Sequence, residues 1–211
     1  MTLLLTGFEP FGGSSINPSE QAARRLHGEV IAGLSIHAEI LPVDRRGGPD
    51  ALLSALAAHR PAAVICLGEA ANRAVITVER VAVNLLDYRI ADNAGNLVED
   101  EPIVEGGPAA YFSTLPVRSM VAAIRSAGVP ANLSMTAGTF LCNQVMYCLL
   151  HALSGETRFV PGGFIHLPGL PEQAALANTD RPSMSVETIL TGVRAAVEVV
   201  ADGLQGSPEG K

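Results

Sequence analysis

The sequence predicts an α/β protein: one domain over residues 1–211, with a mostly parallel, twisted sheet carrying helices on both faces. Two observations lead there. Short apolar runs alternate along the chain with segments whose apolar residues recur at helical spacing. The runs Leu3–Leu5 and Ala62–Leu67 are also continuously apolar, as expected of strands covered on both sides. With 211 residues, 48% hydrophobic and 17% charged, the chain can bury a real core without disulfides or metals.

The elements follow in order. Leu3–Leu5 is a strand. Asn17-Pro18-Ser19-Glu20 opens a helix, with Asn at the N-cap and Pro in the first turn, and Gly28 ends it beyond Leu26. Ser35–Leu41 alternates as a strand. Pro49 opens a helix through about Ala58, and Ala62–Leu67 is a buried strand. Val75–Leu86 reads as extended chain interrupted by charge. Residues 87–113 are loop-rich, with turn signals at Asp92-Asn93, Gly95-Asn96 and Gly106-Gly107-Pro108. Val117, Val121 and Ile124 line one helix face, which Gly128 closes. Leu133–Thr136 is a strand, followed by a buried helix from about Cys142. Phe159–Leu167 is a strand broken by Pro161 and two glycines. The last helix runs from about Ser185 to Leu204, and the tail Gln205–Lys211 is expected to fray.

Composition narrows the function. Net charge is −7 and no basic patch occurs, which argues against nucleic acid. The N-terminal run lacks a basic flank, so it reads as a strand and not a signal peptide. No apolar stretch is long enough to span a bilayer, and a cytoplasmic location is expected. The three cysteines, Cys66, Cys142 and Cys148, do not form a disulfide framework. Neither CxxC nor HExxH occurs, so a metal site has little support.

The junction Ala137-Gly138-Thr139-Phe140-Leu141-Cys142-Asn143 carries the chemistry. It joins a strand to a helix and places a thiol at the helix N-terminus. There, unpaired N–H groups and partial positive charge favour thiolate and can receive an oxyanion. The competing reading is a small core residue at a turn. A nucleophilic Cys142 needs a base. Of the five histidines, His27 and His59 lie in polar surroundings near helix ends, and His37 faces away from its apolar neighbours. His151 stands nine residues along the same helix, about 13 Å away. His166, at the end of an apolar strand, remains, either as a base or as a hydrogen-bonded core histidine. Glu79 lies in the β-rich segment Val78–Asn84. It and Arg80 point to opposite faces, so one points inward. A buried Glu79 beside His166 would favour the imidazolium and, through it, the thiolate.

The chain resembles the pyrrolidone-carboxylate peptidases, the bacterial type I pyroglutamyl peptidases. The segments that carry the resemblance are TGFEPFGG from Thr6, NPS from Asn17, LPV from Leu41, ERVAVN from Glu79, RIADNAG from Arg89, GPAAYFSTLPV from Gly107, AGTFLCN from Ala137 and FIHLPGLPEQ from Phe164. They occur in the family's order. The resemblance implies an α/β/α sandwich and a cysteine peptidase with nucleophile Cys142, base His166 and orienting acid Glu79, acting through a thioester acyl-enzyme with no cofactor or metal. It also implies a substrate pocket near Phe8, Phe11 and Phe140, a role for Arg89 near the oxyanion, and self-association as a dimer or tetramer. Its substrates would be pyroglutamyl peptides, whose flat, neutral lactam calls for apolar walls and a few hydrogen bonds. Phe8 and Phe11 could equally be core beneath a Gly-rich turn, and Asn17 a simple helix cap.

The chain departs from the family most seriously at Glu69, where Gln is usual; Asn72 and Ala91 also differ from it. A carboxylate facing the lactam could accept its N–H but not donate to its carbonyl. The desolvation cost of an unpaired ion favours a Glu69 charge turned to water. Arg73 is a possible partner for it, or is solvated. Two rival functions remain on the sequence: a nucleoside phosphorylase-like enzyme on the same kind of sandwich, and a pyroglutamate-binding module without turnover.

Overall fold

Alternation along β1 (Thr2–Phe8) divides the molecule into two cores. Leu3 and Leu5 point to one face of the sheet, and Leu4 and Phe8 to the other. In this computed structural model, which describes residues 1–177 and 180–206, every residue of β1 after Thr2 is buried.

The remaining strands are β2 (Val30–Ile31), β3 (Leu34–Leu41), β4 (Ala63–Glu69), β5 (Ile76–Glu79), β6 (Val81–Val83), β7 (Ala110–Phe112), β8 (Ala131–Ser134) and β9 (Gly162–Leu167). Six of them join β1 in one seven-stranded sheet in the order β2-β3-β1-β4-β9-β5-β8. The pairs β3-β1, β1-β4, β4-β9 and β5-β8 are parallel; β2-β3 and β9-β5 are antiparallel. The sheet is therefore mostly parallel, as expected, but its direction reverses beside β9. Strands β6 and β7 make a separate antiparallel ribbon.

Helices α1 (Pro18–Leu26), α3 (Val117–Ser126) and α6 (Val186–Gly206) cover the face of Leu3 and Leu5 with Leu26, Ile124 and Val193, among others. Helices α2 (Gly47–His59) and α4 (Leu141–Ser154) cover the other with Leu52, Val145 and Leu149. Each such fully buried aliphatic side chain stabilises by about 1.5–3 kcal/mol relative to exposure. This is the expected α/β/α sandwich. Among the described residues, no helix is long and apolar enough to cross a membrane.

Several boundaries move from their expected places for identifiable reasons. Helix α2 starts at Gly47, before Pro49, because the Asp44 carboxylate caps the Arg46 and Gly47 amides. The expected Leu133–Thr136 strand is Ala131–Ser134, since the Ser134 hydroxyl turns the chain by donating to the Thr136 carbonyl. The expected Phe159–Leu167 strand begins only at Gly162, and Phe159 is exposed. Strand β2, strand β7 and helix α5 (Pro171–Ala177) were not anticipated; α5 buries no residue and so lacks an apolar stripe. Gln205 and Gly206 continue α6, and the rest of the expected frayed tail lies outside the described residues.

Candidate active site

Three strands and one helix start meet on the α2/α4 face. In the ladder, His166 of β9 pairs with Gly68 of β4 on one side and Thr77 of β5 on the other. Glu79, two residues along β5 from Thr77, shares its face and lies diagonal to His166. The Glu79 side chain is 0% exposed and His166 is 4% exposed, with His166 Nδ1 2.8 Å from Glu79 Oε1. An ionised carboxylate only accepts, so Nδ1 carries the proton and Nε2 is left as the basic nitrogen. Arg80 points the other way, its guanidinium 5.2 Å above the Phe112 ring. The inward residue of that pair is the glutamate.

Cys142 sits in the first turn of α4. The helix has Phe140 in extended backbone at its N-cap, without a side-chain cap and without an acidic residue in the first turn. The start of α4 is fixed from several sides. Buried Asn143 accepts from the Val83 amide at 2.9 Å and donates to the Val83 and Leu85 carbonyls at 2.9 and 3.0 Å. Gln144 donates to the Arg45 carbonyl and accepts from the Tyr88 hydroxyl, each at 2.8 Å. In the preceding loop, the Thr139 hydroxyl donates to the Asp87 carbonyl at 2.7 Å.

Gly68 makes room for the thiol. A Cβ built there would lie 2.9 Å from Cys142 Sγ and 2.6 Å from the Phe164 ring. The sulfur therefore rests over Gly68, the ladder neighbour of His166. Gly68→Ala should push the thiol or Phe164 aside and lower kcat/KM by about a hundredfold. Steady-state kinetics of the folded variant check this, and wild-type turnover would disprove it.

Electrostatics here favours a neutral resting pair. Burial pushes the Cys142 thiol up to about 12, with the Glu79 and Glu69 charges adding to it against the opposing influence of Arg73. Burial also lowers His166, despite the raising influence of Glu79. Burial alone would raise Glu79, but hydrogen bonding and charge from His166, with Arg73, leave it below its ordinary value. Burial thus opposes the imidazolium and thiolate that Glu79 beside His166 favours. Burial outweighs the helix N-terminus, and the thiol proton must leave during attack. Cys66 and Cys148 are likewise pushed up by burial, to about 12 and about 11.

The other candidates separate into two groups. Phe11 and Phe140 are half-buried, with ring centroids 6.2 Å apart, and Phe140 stands edge-on to Tyr88 at 4.6 Å. They can form a wall beside Cys142. Phe8, 3% exposed, packs under Phe164 at 6.5 Å and is core rather than open wall. Asn17 is 0% exposed. Its Oδ1 caps Ser19 and its Nδ2 donates to the Glu9 carbonyl at 3.0 Å, so it holds the turn that carries Phe11. Arg89 is exposed, and among the described residues no hydrogen bond or ion pair fixes it. Glu69 is half-buried and not turned to water. Gln173 of α5 donates to its two oxygens at 3.1 and 3.2 Å, and burial raises its carboxyl against that bond and the Arg181 charge. Arg73 pairs with Glu79 rather than with Glu69.

Sequence reasoning missed Gly68, Asn143, Gln173 and the partner of Arg73. Of these only Gly68 carried a signal, as a glycine inside an apolar strand.

A buried histidine–carboxylate pair beside a thiol at an uncapped helix start, on an α/β/α sandwich, defines the cysteine hydrolase class. A model of one such family, pyroglutamyl peptidase, matches residues 1–203. The pyrrolidone-carboxylate peptidase of Coprothermobacter proteolyticus is 46% identical over 203 residues, covering 96% of this chain and 98% of the relative. That of Chromobacterium violaceum is 50% identical, covering 94% and 91%. Among solved structures, pyroglutamyl peptidase I of Bacillus amyloliquefaciens superimposes with a TM-score of 0.92 at 42% identity, covering 95% and 96%. A mutant pyrrolidone carboxyl peptidase of Pyrococcus furiosus does so with a TM-score of 0.94 at 42% identity, covering 96% and 99%. The chain belongs to the pyroglutamyl peptidase family. The phosphorylase-like and binding-only readings are not favoured by these relatives.

Proposed function

We propose that the chain hydrolyses the bond after an N-terminal pyroglutamyl residue, with Cys142 as nucleophile, His166 as base and acid, and Glu79 as orienting carboxylate. The observation that carries this reading is the Glu79–His166 hydrogen bond set beside the space that Gly68 leaves for the Cys142 sulfur.

His166 Nε2 takes the thiol proton as Sγ attacks the acyl carbonyl. Glu79 stabilises the imidazolium that forms. The oxyanion faces the uncapped amides at the start of α4, where Cys142 N–H is nearest the reacting atom. The imidazolium then protonates the leaving amine, and the thioester is cleaved by water that His166 deprotonates. Phe11 and Phe140 suit a flat lactam that has no ammonium group. Cytoplasmic location and self-association, both expected from the sequence, belong to the same proposal.

A pyroglutamyl fluorogenic amide should be cleaved, while the uncyclised Gln amide should not, because its ammonium would be buried unpaired. Comparable kcat/KM for the two would refute the specificity assigned here.

A further inference from the structure

Arg73 lies in the loop between β4 and β5 and reaches both the buried carboxylate and the segment that leads to Cys142. Its Nη1 donates to Glu79 Oε1 at 2.5 Å and also to the Thr77 hydroxyl. Its Nη2 donates to the Thr136 carbonyl at 3.0 Å, in the segment that leads from β8 to Cys142. Glu79 Oε1 thus accepts from both His166 and Arg73. Glu79 Oε2 is buried with no hydrogen-bond partner among the described residues. The close hydrogen bonds to the buried carboxylate, from His166, Arg73 and more distantly Thr77, therefore converge on one oxygen. The Ser134 hydroxyl, on the strand paired with Glu79, donates to the Thr136 carbonyl and lies close enough to Glu79 to help hold its carboxyl below the ordinary value.

We propose that Arg73 is a positioning residue for the reaction: it shares Glu79 Oε1 with His166, aims the carboxylate, and ties it to the segment that presents Cys142. This rests on the roles assigned to Cys142, His166 and Glu79 above.

A planar fork suits the task. One nitrogen satisfies the Glu79 ion and the Thr77 hydroxyl while the other reaches a backbone carbonyl, which a single ammonium cannot reproduce. The charge also matters. Beside a bare Glu79, His166 would hold its proton more firmly and be a poorer resting base. Burial is the main influence lowering His166, and Arg73 adds to it by offsetting part of the Glu79 field. The charged and titratable groups around His166 are Glu79 and Arg73 on the β5 side, the Cys142 thiol from α4, and Glu69, next to Gly68 on β4, with its Gln173 partner. Among the described residues, Arg73 is the cation that acts on His166, while Arg181 acts on Glu69.

The test is the pH dependence of kcat and KM for a pyroglutamyl amide, using the full chain and the variants Arg73→Met, Arg73→Lys, Glu79→Gln and His166→Ala, with circular dichroism to verify folding. In wild type the acid limb should lie below the ordinary histidine value of 6.5. Arg73→Met should lower kcat about tenfold, leave KM within about twofold, and move the acid limb to higher pH by about one unit. Arg73→Lys keeps the charge and loses the fork, so its limb should stay in place while kcat falls by about threefold, roughly 0.65 kcal/mol. If Arg73→Met fails to fold, Arg73→Lys decides alone. An unmoved limb in Arg73→Met, or full kcat in Arg73→Lys, overturns the proposal. If Glu79→Gln and His166→Ala lose activity while both Arg73 variants behave as wild type, Arg73 alone has been misassigned. If Glu79→Gln and His166→Ala stay active, the fault lies in the triad itself.

Discussion

Cys142→Ala should abolish turnover of a pyroglutamyl amide, with a loss of at least about 10⁴-fold, and leave the fold intact. The size of the effect follows from the mechanism: without sulfur no thioester forms, and the α4 amides and aromatic wall can only bind substrate. The fold should survive because Cys142 is only half-buried and the helix start is anchored by Asn143 and Gln144, not by the thiol. Alanine also fits above Gly68 without strain, being smaller than cysteine. Thiol alkylation should inactivate wild type in step with modification of Cys142, mapped by mass spectrometry. Cys66, 0% exposed, should remain untouched under the same conditions. Purified Cys142→Ala with near-normal turnover would remove the nucleophile from the mechanism.

His166→Ala should cost nearly as much, because a neutral thiol pushed up to about 12 does not attack without a base. Combining it with Cys142→Ala should add little to either single loss, since groups that act on one step are not additive. Glu79→Gln should be milder, by roughly tenfold to a hundredfold relative to His166→Ala. The amide can still accept from Nδ1 and orient the ring, but it gives the forming imidazolium no charge. It would also leave Arg73 without its ion partner, so part of the loss should appear as lower thermal stability. Single- and double-variant kcat/KM values check the series. Additive losses, or a Glu79→Gln effect as large as that of His166→Ala, would mean that the three side chains do not work as one unit.

Much of this architecture was legible in the chain because it rests on local signals. Asn17-Pro18 capped α1 as read, and the apolar runs at Leu3–Leu5 and Ala62–Leu67 fell on central strands. The triad candidates were legible by residue type: a thiol at a helix start, a histidine closing an apolar strand, an acid in a β-rich stretch. Their charge states were not. A helix terminus is visible in a sequence, but the depth to which a thiol is sunk is set by tertiary packing. The Arg73–Glu79 pair was hidden for another reason. Proximity in sequence suggested Glu69, four residues away, whereas the reversal of strand direction at β5 brings Glu79 to it instead. Phe8 and Asn17 are both enclosed, a depth that residue type alone does not show.

That same reversal of direction has a consequence for how the active centre fails. His166 and Glu79 belong to neighbouring strands in the interior of the ladder, so no loop movement can part them. A slip of one residue between β5 and β9 would throw Glu79 onto the opposite face, and the sheet cannot slip without turning its buried aliphatic side chains over as well. The acid–base pair is therefore a global property of the folded chain: it melts when the sheet melts. The nucleophile is held separately, by the bonds of Thr139, Asn143 and Gln144 at the start of α4, so its placement depends on that helix start and not on the ladder.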